Sequence, residues 1–175
     1  MLSYGGGKMP SRCTVSAPSV PRRIALALLV ALPACAVAAP AGWESFTPGT
    51  WKSWTGPGST AAAVVFTTTD CEHCPAVIAE LRQHIQSMPQ PRPVLRVVVT
   101  DAGNLTAGTA GARWYAMADE RRVFEGNELA VRYAISPRWR GETPFVALLS
   151  PRTVPRLVTG HPAAPDLAAW GSSLR

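Results

Sequence analysis

The residues with the most chemistry in this 175-residue chain are two cysteines three positions apart, Cys71-Glu72-His73-Cys74, followed by Pro75. Thiols at that spacing can close a disulfide with little backbone movement. With further ligands they can hold a metal, and they can also simply pack. As a redox pair they need one cysteine whose thiolate forms readily, because the thiolate is the attacking species. As metal ligands they need company: a structural zinc site takes four ligands, often from a second CxxC. The chain has no second CxxC, so the candidate additional ligands are His73, His84 and His161.

The elements that must position these residues are readable on either side of them. Residues 61–67 (AAAVVFT) form a continuous apolar run, which predicts a strand buried on both faces. Cys74, Val77, Ile78, Leu81, Ile85 and Met88 then recur at steps of three and four, the stripe of a helix packed on a sheet. Pro75 is tolerated in the first helical turn, and Pro89 and Pro91 stop the helix. This places Cys71 just outside the helix start and Cys74 on its buried side. Unpaired N–H groups and the helix dipole stabilise an anion at Cys71, and a protonated His73 would add to that. Asp70 and Glu72 act against it, since nearby negative charge disfavours a thiolate. Two acids against one titratable histidine predict a less acidic cysteine and a more reducing pair.

Residues 94–100 (VLRVVVT) supply a second strand, so strand, helix and strand form a βαβ unit with parallel strands. Beyond it, 101–111 reads as a loop, 112–124 as a helix, and Asn127 as the cap of a helix over 128–135. Thr143-Pro144 introduces a strand over 145–150, which turns into 154–159 as a hairpin. Pro155 marks that last strand as an edge. Residues 166–174 form a final short helix with Leu167 and Trp170 on one side. Residues 41–58 carry Trp43, Trp51 and Trp54, an irregular or short amphipathic stretch that covers apolar core surface.

The N-terminus belongs to a different category. Lys8, Arg12, Arg22 and Arg23 precede the apolar run IALALLVAL (24–32), and Ala36-Val37-Ala38 supplies small residues at −3 and −1. That order is a secretory signal peptide, expected over 1–38 with cleavage after Ala38, leaving one domain over 39–175. An uncleaved anchor and lipidation at Cys35 are the alternatives, and only these would bring the membrane in as a partner. Of 17 Lys and Arg, four lie in the leader; the remaining 13 face 11 acids, a balance of about +2. A domain so nearly neutral has no basic footprint for nucleic acid. Cys13 and Cys35 leave with the leader, and Cys71 and Cys74 are then the only thiols. The mature fold therefore depends on its core, with no disulfide framework.

The order strand, CxxC, helix, strand, helices, Thr-Pro, strand, strand, helix resembles the thioredoxin superfamily over roughly residues 50–174. With the leader and the long 101–140 connection, it is most similar to periplasmic reductases of the TlpA and ResA type. The resemblance implies an α/β fold with a central mixed sheet, flanking helices and a helical or loop insertion before the Thr-Pro strand. It implies an exported thiol–disulfide oxidoreductase that acts on partner-protein disulfides, in cytochrome c maturation or metal-site assembly. Cys71 and Cys74 would be catalytic, with Glu72, His73, Thr143 and a cis Pro144 in support and no cofactor. An upstream membrane reductant would recharge the pair. Departures are Asp70 and Val65, which stand where thioredoxin has a tryptophan and a buried aspartate. The alternatives are a copper-binding chaperone of the same fold with His161 as third ligand, and an oxidase or isomerase.

Overall fold

A computed structural model describes residues 40–175; the leader expected at 1–38 lies outside them. The described chain builds one six-stranded mixed sheet in the order β1-β4-β3-β2-β5-β6. The strands are β1 (Glu44–Phe46), β2 (Ala62–Thr67), β3 (Val94–Val99), β4 (Glu120–Phe124), β5 (Phe145–Ser150) and β6 (Thr153–Thr159). Strands β1, β4, β3 and β2 run parallel, whereas β5 is antiparallel to β2 and β6 to β5.

All six residues of β2 are buried, as its unbroken apolar composition requires of a strand covered on both faces. Its alternating side chains feed two clusters. Ala63 and Val65 pack with Leu95, Val97 and Val146 beneath α2 (Cys74–Ser87) and α5 (Ala164–Ser173). Ala62, Val64 and Phe66 face the other way, under α1 (Pro48–Thr55) and α4 (Glu128–Ile135). Burial of each large aliphatic side chain stabilises the fold by about 1.5–3 kcal/mol. The edge strand β6 contains Pro155, and α4 is capped by Asn127, whose side chain accepts from the Ala130 N–H at 3.0 Å.

Two expectations are corrected. The 112–124 segment is not a helix: after a one-turn helix α3 (Ala107–Ala110) inside the expected 101–111 loop, a 3-10 turn over Tyr115–Met117 leads into β4, which fills the gap between β1 and β3. The insertion before Thr143 therefore contains a sheet strand as well as helix and loop. Segment 41–58 is more regular than expected, forming β1 and then α1, which starts at Pro48 behind a Thr47–Thr50 capping box. Its three tryptophans are each no more than 7% exposed and cover the core as expected. Trp54 also stacks under the Arg96 guanidinium at 4.3 Å, and Arg96 is held by both carboxylate oxygens of Glu120.

Candidate active site

The parallel strands β2 and β3 end level with each other, Thr67 opposite Val99, and the Thr100 N–H donates to the Thr67 carbonyl at 2.8 Å. From that end, residues 68–73 cross to α2 without regular structure and carry the first cysteine. Cys71 and Cys74 are joined as a disulfide with a Cα–Cα separation of 5.5 Å. Cys71 is half-buried, while Cys74 is 1% exposed on the helix stripe with Val77, Ile78 and Leu81. The stripe thus leaves Cys71 half-buried and encloses Cys74, as the sequence predicts. At the helix start, His73 is the N-cap residue and makes no side-chain cap hydrogen bond. First-turn N–H groups of α2 are consequently not capped by that side chain, leaving a dipole end that favours a thiolate at Cys71.

Thr143-Pro144 lies at the same end, because β5 runs antiparallel to β2 and begins where β2 finishes. Its peptide bond is cis. The Thr143 hydroxyl is 3.3 Å from that of Thr68, three residues before Cys71, so this contact ties the cysteine loop to the proline loop. The Pro144 carbonyl accepts from the Gly160 N–H at 2.7 Å, which fixes the same loop to the end of β6. The structure therefore brings Cys71, Cys74, Thr143 and Pro144 to one end of the sheet. Asp70, Glu72 and His73 are all solvent-exposed, where screening weakens the charge effects assigned to them.

Residues that sequence reading passed over complete the loop. Asp101, just beyond β3, accepts the Thr69 N–H at 2.9 and 3.1 Å and the Thr69 hydroxyl at 2.5 Å. Asn104 adds an amide donor to the same carboxylate at 3.2 Å. The signal was the matched strand ends: register places 68–69 beside 100–101. Nearby, Tyr115 is 1% exposed, with its ring edge-on to Trp43 at 5.0 Å. Burial pushes its pKa above 10.0; the Trp114 side chain works against that shift and the negative charge of Asp101 adds to it.

The histidines go elsewhere. His161 pairs with Glu80 of α2. His84 is half-buried against Trp170, with ring centroids 6.3 Å apart, not on a solvated helix face. Among the described residues, no three His, Cys, Asp or Glu side chains are grouped to hold a metal. None of the helices among the described residues is long and apolar enough to cross a membrane. A cavity of about 860 Å³ lies at the opposite end of the sheet, between Ala61, His84, Met88, Val94, Leu167 and Leu174. It contains no cysteine, and the thiol chemistry is not there.

Fold and site together define a thioredoxin-like architecture: a CxxC disulfide at a strand-to-helix corner, with a cis-proline loop joined to it through a threonine pair. No protein-family profile matches the chain, and no curated protein matches it in sequence. Among solved structures it is similar to a secreted Mycobacterium tuberculosis disulfide oxidoreductase homologous to E. coli DsbE. That likeness is 14% identity, over 66% of this chain and 82% of that one, with a TM-score of 0.46. It is also similar to M. tuberculosis DsbF in mixed oxidised and reduced forms, at 16% identity over 71% and 85% with a TM-score of 0.47.

Proposed function

We propose that this chain is an exported thiol–disulfide oxidoreductase that reduces disulfides in partner proteins. The observation that carries the reading is the asymmetry of the pair: Cys71 half-exposed at a helix start that the His73 side chain does not cap, Cys74 buried at 1% exposure. An attacking thiol needs access and a stabilised anion, whereas a resolving thiol needs protection from competing disulfides.

The Cys71 thiolate attacks one sulfur of a partner disulfide, forming the mixed disulfide and releasing the partner's other sulfur as a thiolate that takes up a proton. Cys74, deprotonated in turn, attacks the Cys71 sulfur. The second partner sulfur leaves, and Cys71–Cys74 is left oxidised. Two electrons and two protons have passed to the partner. Thr143, beside the pair through Thr68, offers its backbone to an extended partner segment. An upstream membrane reductant returns the pair to the dithiol, and cytochrome c maturation or metal-site assembly is the setting. The basic and apolar leader over 1–38 supports export to the periplasm.

The test is a Cys74→Ser variant expressed with its leader in the native compartment. Partner proteins should be recovered as mixed disulfides on Cys71. Stoichiometric Cu(I) binding by the reduced wild-type domain, with no mixed disulfides trapped, would replace this reading with the copper-chaperone one.

A further inference from the structure

We infer that Asp101 is a positioning residue for the thiol pair, holding the loop that delivers Cys71 when the disulfide is open. The inference rests on the redox reading above and adds to it a residue that touches neither sulfur.

In the oxidised pair the S–S bond itself restrains residues 71–74. Reduction removes that restraint, and the loop from Thr68 to His73 has no ladder hydrogen bonds of its own to replace it. What it has is three side-chain anchors. Thr68 meets Thr143 at 3.3 Å, a neutral hydroxyl contact. The Thr67 hydroxyl donates to the Thr68 carbonyl at 2.9 Å, a contact within the same segment. Asp101 is the charged anchor, taking both the N–H and the hydroxyl of Thr69, two residues before Cys71. Hydrogen bonds to an ionised acceptor are about twice as strong as neutral ones. Asp101 is also well founded, because it follows buried Thr100 just beyond the end of β3 and is half-buried itself.

A held loop keeps Cys71 near Cys74 in the dithiol, so closing the disulfide costs little further ordering. A loosened loop lowers the effective concentration of one thiol at the other and weakens the disulfide against an external one. The balanced readout is the equilibrium in which the protein disulfide plus two glutathione thiols gives the protein dithiol plus oxidised glutathione.

Asp101→Ala should shift that equilibrium toward the dithiol by about tenfold, about 30 mV for a two-electron couple. Asp101→Asn keeps a carbonyl acceptor for the Thr69 N–H and should return to within about threefold of wild type. If Asp101→Ala does not fold, Thr69→Val removes the hydroxyl anchor alone and should shift the equilibrium in the same direction by about threefold. An Asp101→Ala protein that folds and shows an unchanged equilibrium overturns the inference, whatever its melting temperature. So does Asp101→Asn shifted as far as Asp101→Ala, because the amide still accepts the Thr69 N–H, and the agent would then be the field of the carboxylate at the thiols and not its hold on the loop. Glutathione is the probe throughout and no partner protein is needed. A chain that reduces no protein disulfide would fail the functional reading while still reporting on Asp101.

Discussion

The two faces of the sheet are packed with different materials, and each delivers a different half of the site. Beneath α2 the contacts are mostly aliphatic: Val77, Ile78, Leu81 and Ile85 against Val65, Val97 and Val146. On the other face they are aromatic, with Phe46, Phe66, Phe124, Trp139 and Phe145 in one cluster. The aliphatic face carries Cys74 on a regular helix whose own hydrogen bonds fix the backbone. The aromatic face supports Thr143-Pro144, which follows an irregular passage out of α4. There, Trp139 stacks on Phe145 at 4.5 Å with the rings 9° from parallel, and its indole N–H donates to the Glu142 carbonyl at 2.9 Å. A helix can tolerate the loss of one packing contact and stay a helix, whereas the 136–143 passage has Trp139 as its one buried large side chain and has no helical ladder to fall back on.

That contrast can be broken by paired substitutions. Trp139→Ala should cost about 3–5 kcal/mol and Leu81→Ala about 2–5 kcal/mol in chemical denaturation. The two should separate in function. Disulfide exchange per folded molecule should fall for Trp139→Ala, because the Glu142–Pro144 passage loses its anchor, and hold for Leu81→Ala. Equal losses of exchange per folded molecule would mean that the two faces do not divide the work.

A smaller effect sharpens the same comparison at Tyr115, an aromatic residue placed in the aliphatic cluster. Its hydroxyl is buried without a hydrogen-bond partner among the described residues, so Tyr115→Phe should stabilise the fold at pH 7, by about 1 kcal/mol. At alkaline pH the two proteins should part further. The pKa is raised in the folded state, so the stability linked to neutral Tyr115 is complete below the unfolded value of about 10.0. Above it the unfolded chain loses its proton first, and stability falls as pH rises toward the folded pKa. Melting curves should show wild type losing stability faster than Tyr115→Phe above about pH 10. Parallel curves would remove Tyr115 from the account.

The same division explains which parts were legible in sequence. Strands β2 and β5 have unbroken apolar runs because both their faces are buried, and helix α2 has a clear three-and-four stripe because one face is buried along its length. Strand β4 (ERRVF) buries only Val123 and Phe124; it is a strand because β1 and β3 lie on either side of it, not because of its own pattern. The alanine-rich stretch before it has local helix character, which is why the segment read as helix. The cysteines and Thr143-Pro144 were legible as local motifs. Asp101 was not, since its contact with Thr69 spans 32 positions and depends on two strands ending level.

The central claim is that Cys71 attacks and Cys74 resolves. It is tested most directly by treating reduced Cys74→Ser and Cys71→Ser proteins with oxidised glutathione and locating the adduct by peptide mass spectrometry. Cys71 in the first variant should take up glutathione rapidly, and Cys74 in the second should stay largely free. Equal modification of the two cysteines, or faster modification of Cys74, would contradict the account.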